Sequence, residues 1–264
     1  SIENIHKVID PLFLDELQKE FLDISAITTV TTKQTRLERF QNKLASLTFL
    51  DPACGSGNFL TETYLSLRRL ENKTIAEMIA ISCEKGKSQV GGQIMMGGVR
   101  SIDVKVSISQ FYGIEINDFA VTVAKTALWI AESQMLKETE AIVLMHLDFL
   151  PLKTNAYIVE GNALRMDWES IVPKNKLSYI MGNPPFIGAR LMGDEQKKDV
   201  NAIFDGWKNA GNLDYVCCWY KKCADYMKNT AVKSALVSTN SVSQGESVAN
   251  LWKPLFNGGI QINY

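Results

Sequence analysis

Gly182-Asn183-Pro184-Pro185-Phe186 has the residue types to hold a flat amine. A residue before proline avoids the helical region, so Asn183 and Pro184 are both expected to be extended, and neither Pro184 nor Pro185 carries an N–H. The product is a stiff rim rich in acceptors. The side-chain oxygen of Asn183 and the carbonyl of Pro184 can both accept from one planar NH2 group, while Phe186 offers a ring face for stacking. Such bonds draw the nitrogen toward tetrahedral geometry and present its lone pair to an electrophile. A plainer reading of the same residues is a Pro-Pro turn that ends a strand.

A second group, Asp51-Pro52-Ala53-Cys54-Gly55-Ser56-Gly57-Asn58-Phe59, follows the apolar run Leu47-Thr48-Phe49-Leu50. Glycines between a strand and a helix let the backbone pass close to a ligand. A phosphate loop would need Gly-Lys-Ser/Thr, but Gly57 is followed by Asn58 and Phe59. A dinucleotide fingerprint would need a third glycine where Leu60 stands. S-adenosylmethionine fits better: Asp51 faces the amino group of its methionine part, the backbone at Cys54, Gly55 and Gly57 runs alongside, and no pyrophosphate has to be neutralised. Taken alone, the loop also reads as a structural tight turn. Glu115 in "GIEI" can accept both hydroxyls of a ribose, and Asn162 in "EGNAL" can meet an adenine edge with Ala163 or Leu164 against the ring. Each of these, alone, is equally a loop acid or an ordinary turn.

These residues need a frame that brings them to one edge. "SLTFLDP", "SISQFYGIEIND", "NAYIVEGNAL", "LSYIMGNPPF" and "KSALVSTNS" read as five strands, alternating with helices over "DFAVTVAKTALWIAESQM" (Asp118 as cap) and "NLDYVCCWYKKCADYMK". Such alternation predicts an α/β fold, a doubly wound and mainly parallel sheet whose ligands lie at the carboxyl ends of the strands. Residues 1–46 form a helical segment packed on the core, with Pro11 breaking residues 2–22 in two and a further helix over "TTKQTRLERFQNKL". The catalytic domain is read over 47–264. Residues 71–106, with Gly91, Gly92, Gly97 and Gly98, read as an irregular insertion.

With 264 residues and 46% hydrophobic content, the chain can bury a large core as one domain, or one domain with an appendage. A net charge of -1 gives no global attraction to nucleic acid, so such a partner needs a local patch or another segment. Lys197, Lys198, Lys221 and Lys222 read as a solvated face, with a backbone phosphate as the other use. Cys54, Cys83, Cys217, Cys218 and Cys223 are odd in number and lack C-x-x-C, which predicts reduced thiols. Only His6 and His146 are present, far apart, so neither a zinc site nor a histidine-centred triad is expected. An acidic amino terminus and the lack of a long apolar run predict a cytoplasmic protein with no membrane partner.

"DPACGSGNF", "GIEI", "GNAL" and "GNPPF" together resemble the motifs of class I S-adenosylmethionine-dependent methyltransferases that modify amino groups of DNA. "GNPPFIGARLMGDEQ" with "VSTNSVSQGESV" looks like the MmeI-like enzymes, which fuse a methyltransferase to an endonuclease and a target recognition domain. The resemblance implies methylation of the adenine amino group in double-stranded DNA, with the target base rotated out of the duplex. It implies that Asp51, Ala53, Cys54, Gly55, Gly57, Asn58, Phe59, Glu115, Ile116, Asn162 and Ala163 hold the cofactor, and that Asn183, Pro184, Pro185 and Phe186 hold the base. Phe186 stands where relatives often carry tyrosine, which keeps stacking and removes a hydroxyl. The same resemblance implies a piece of a longer enzyme, with a sixth strand starting near "GGIQINY" and the fifth strand left as an edge. Cytosine N4 or a protein glutamine amide would suit the same rim, and a cofactor-binding module is the reading from another class.

Overall fold

The computed structural model describes residues 1–87, 103–143, 155–245 and 247–263. Strands β1 (Phe49–Asp51), β2 (Phe111–Glu115), β3 (Tyr157–Glu160), β4 (Tyr179–Gly182) and β5 (Lys233–Leu236) form a sheet in the order β3-β2-β1-β4-β5. Every pairing is parallel. Strand period places Phe49, Phe111 and Met181 in one core and Leu50, Ile114 and Ile180 in the other, so both faces are covered. β1 lies where the connections turn from one side of the sheet to the other, which opens a crevice above its carboxyl end. Among the described residues β5 pairs with β4 alone.

One face carries α1 (Ile2–Ile9), α2 (Asp15–Ser25), α3 (Val30–Ser46), α4 (Asn58–Lys87) and α5 (Asp118–Val143). The two segments expected on either side of Pro11 are α1 and α2, joined by one π-helical turn over Asp10–Leu14 that carries the proline near its start. That turn drives Phe13 into the sheet, where its ring lies 5.1 Å from both Phe49 and Tyr179. The other face carries α6 (Asp194–Ile203), α7 (Cys217–Met227) and α8 (Lys253–Asn257).

Two expectations need correction. The stretch from residue 71 is not irregular at first, because α4 continues to Lys87. Its helical period is masked by polar residues that are themselves buried. Arg68 and Glu71 are fully buried and paired, Gln41 Nε2 donates to Glu71 Oε1 at 2.8 Å, and Arg68 Nη2 donates to Thr139 at 2.7 Å. Glu71 also accepts from Lys105 N at 2.7 Å, fastening the chain as it returns to the core. Removing one member would strand a buried charge at a cost of about 3–5 kcal/mol. The glycines at 91, 92, 97 and 98 lie outside the described residues.

The cap of α5 is Asn117, whose Oδ1 accepts from Ala120 N at 3.0 Å, and Asp118 is the first helical residue. No strand follows β5 among the described residues: Gly259, at φ +90°, turns the chain off α8 and Ile260 N bonds back to Leu255 O. Among the described residues no helix is long and apolar enough to cross a membrane.

Candidate active site

The glycine loop leaves β1 and is bonded to its neighbours at almost every step. Ala53 N donates to Asp51 Oδ1 at 3.0 Å, Cys54 N to Ile114 O at 3.1 Å, Gly55 N to Glu115 Oε2 at 2.9 Å and Gly57 N to Cys54 O at 2.8 Å. Gly55 and Gly57 have φ of +53° and +82°, a region costly for other residues. At Gly57 a Cβ would also stand 2.9 Å from Ala124 Cβ on α5, whereas at Gly55 it would meet nothing within 4 Å. The loop is thus closed toward the helix and open above Gly55. Ala53 is half-buried, Asn58 is exposed at the start of α4, and Cys54 and Phe59 are buried beneath the loop. Burial and the acids Asp51 and Glu115 push the Cys54 thiol up, which keeps it protonated and inert.

Asp51 ends β1 only 1% exposed. Burial pushes its carboxyl up to about 7, against the Ala53 N–H and with a further push from the charge of Glu115. A Cβ at Gly182 would stand 2.4 Å from Asp51 Oδ1. The residue that opens the proline loop must therefore be glycine for the acid of the other loop to fit. Adjacent β1 and β4 make the floor of one crevice.

Glu115, at the end of β2, spends one acceptor site of Oε2 on Gly55 N and one of Oε1 on Asn117 N at 3.0 Å. Each oxygen keeps a free lone pair, so a diol can still be accepted. Beside it Ile116 is 67% exposed and Phe119, unremarked in the sequence, 74%. Ala163 is buried, and Asn162 is held by two bonds within the protein. Its Oδ1 accepts from Leu164 N at 2.9 Å and its Nδ2 donates to Asp199 Oδ2 at 3.0 Å, which fixes the amide and leaves one lone pair and one hydrogen unspent.

At the end of β4 the proline loop shows the opposite pattern. Asn183 and Phe186 are exposed and Pro184 is buried. Among the described residues nothing donates to the Asn183 side chain or to the Pro184 carbonyl. Pro185 is exposed beside them. The acceptor rim expected from the residue types is present and unspent.

The lysines divide. Lys197 and Lys198 are exposed, the second paired with Glu195 at 2.7 Å, while Lys221 pairs with Asp225 and Lys222 donates to Met166 O at 2.6 Å with its ammonium 5.4 Å from the Trp168 ring. The last two are therefore not a free solvated face. The residues that sequence reasoning missed are Asp199, which gathers Asn162, Arg165 and Tyr215, and Asp214, which bonds to Ala189 and Ser241. Their partners are far off in the chain, so spacing alone carried no signal.

Residues 27–264 match the family model described as MmeI, DNA-methyltransferase domain. DNA methyltransferase A of Bacillus subtilis (strain 168) is 42% identical over 267 residues, covering 100% of this chain and 28% of that protein. A solved structure of the Type IIL restriction-modification enzyme MmeI in complex with DNA superposes with a TM-score of 0.86 at 38% identity, covering 99% of this chain and 33% of that one. The chain thus spans about a third or less of the length of these two relatives. With the glycine loop and the proline rim on adjacent strand ends of a parallel sheet, the chain belongs to the MmeI DNA-methyltransferase domain family.

Proposed function

We propose that this domain transfers a methyl group from S-adenosylmethionine to the exocyclic amino group of adenine in double-stranded DNA, as the modification core of a cytoplasmic restriction-modification enzyme, with residues 47–264 as the catalytic unit. The observation that carries the reading is the unspent acceptor pair of Asn183 and Pro184, set over the same crevice floor as the glycine loop. The residues present fit the cofactor: space is open above Gly55, Glu115 keeps free lone pairs, and Asp51 supplies an acid against an ammonium. When bound, S-adenosylmethionine supplies an electrophilic methyl on a sulfonium sulfur.

The protein's own contribution is positional. Asn183 Oδ1 and the Pro184 carbonyl accept from the amine, which localises its lone pair, and Phe186 stacks on the ring. The amine gives up its proton after nitrogen has become cationic, so no histidine base is required. Adenine reaches this rim by leaving the base stack.

Incubating the full-length protein with methyl-labelled cofactor and duplex DNA, then hydrolysing to nucleosides, should return label on N6-methyladenine. Label on cytosine or on protein glutamine overturns the substrate assignment. Cofactor bound without any transfer indicates a binding module, and no binding at about millimolar cofactor (~4 kcal/mol) overturns the cofactor site.

A further inference from the structure

Pro184 and Pro185 have no N–H to give, and among the described residues the loop bonds that hold the rim lie at its two ends. The first end is secured by β4 and by Val237 N, which donates to Gly182 O at 2.9 Å. The second end rests on the dipeptide Asp214-Tyr215. Asp214 Oδ1 accepts from Ala189 N at 3.0 Å, and Tyr215 N donates to Ile187 O at 2.8 Å. Asp214 Oδ2 accepts from Ser241 Oγ at 2.5 Å, which brings in the loop after β5. The Tyr215 hydroxyl donates to Asp199 Oδ2 at 2.8 Å, and Asp199 holds Asn162 on the cofactor side.

We propose that Asp214 is a positioning residue for methyl transfer: its carboxylate ties the downstream end of the acceptor rim to the loop after β5, and so sets where Asn183 and Pro184 meet the amine. The proposal rests on the reading that this rim receives the target base. Both oxygens of Asp214 are engaged by Ala189 and Ser241, so its loss acts through rim placement, where a misplacement of about 1 Å costs roughly 10²-fold.

In the full-length protein, Asp214→Ala should lower kcat for methyl transfer about 10²-fold. KM for S-adenosylmethionine should stay unchanged. Asp214→Asn keeps an oxygen for Ala189 N and an amide hydrogen that the rotatable Ser241 hydroxyl can accept, so it should restore most of the rate. Ser241→Ala, which removes one bond and leaves the other, should give a smaller fall in kcat with the same unchanged KM, and it serves if Asp214→Ala does not fold. A wild-type kcat in Asp214→Ala or in Ser241→Ala overturns the tether, as does an Asp214→Asn variant as slow as Asp214→Ala. So does a loss that falls on cofactor KM instead. If the unaltered protein methylates no adenine in DNA, the substrate reading itself fails, a result distinct from any of these.

Discussion

In the glycine loop the N–H groups of Ala53, Cys54, Gly55 and Gly57 all have acceptors inside the protein; in the proline loop the acceptors of Asn183 and Pro184 have no donors inside the protein. The first loop is held by bonds and by contact with α5, and it offers a ligand space and two acids. The second is stiff because its prolines remove backbone freedom, and it offers unspent valence. Asn183 is exposed, so its open acceptor costs little. The two loops meet where Asp51 packs against Gly182 at the floor of the crevice.

The contrast is broken most directly at the rim. Asn183→Ala should lower the methyl-transfer rate about 10²–10³-fold, in the range for removing one preorganised polar contact. Its melting temperature should hardly move, because the side chain bonds to nothing else among the described residues. An equal loss of stability would mean the rim is structural.

In the glycine loop the order reverses, with stability lost before chemistry. Gly57→Ala combines a left-handed backbone, about 1–2 kcal/mol, with overlap on Ala124, about 1–3 kcal/mol. Gly55→Ala carries only the first of these. Urea melts of the two variants should differ by the overlap, and equal melts would refute the closed-below, open-above description.

Asp51 sharpens the comparison through pH. Its carboxyl titrates near 7 in the folded chain against an ordinary 3.8, so between those values the folded state holds a proton that the unfolded state has lost. Stability should therefore fall as pH rises through this window, and Asp51→Asn should flatten that slope in denaturant melts. In the wild type, affinity for a cationic ligand should climb from pH 6 to pH 8 as Asp51 ionises, and isothermal titration at both values reads this.

The smallest effect lies behind the glycine loop. His6 Nδ1 bonds to Asp10 at 2.7 Å and Nε2 to Glu62 on α4 at 3.2 Å. The Asp10 bond, supported by Glu62 and opposed by burial, raises its pKa above 6.5. This contribution is full below 6.5 and is lost as pH rises through the raised value. For a partly exposed pair it amounts to less than about 1 kcal/mol. His6→Ala should lower the melting temperature at pH 6 and not at pH 9.

Much of the site was legible because its chemistry is local. Proline sterics act on the residue next door, and glycine loops declare themselves within a few positions, so Asn183, Gly55 and Gly57 could be picked out by eye. The five strands stood out as short apolar runs. The extension of α4 did not, because Arg68, Glu71 and Thr139 satisfy one another inside the fold and look like surface residues in a row of letters. Nor did the bond from Asn162 to Asp199 stand out, because 37 residues separate the two.

Read alone, the sequence determined which residues could bond to an amine or border a sulfonium cofactor, since those capacities belong to side chains and adjacent peptide groups. Only the tertiary structure decided which capacities remain free. Asp199 and Asp214 are indistinguishable in sequence from surface acids and are consumed in tethers, while Asn183 is left open. The reason is physical: a hydrogen bond between residues distant in the chain exists only once parallel pairing has brought β1, β4 and β5 side by side, and that pairing is what puts the two loops over one crevice.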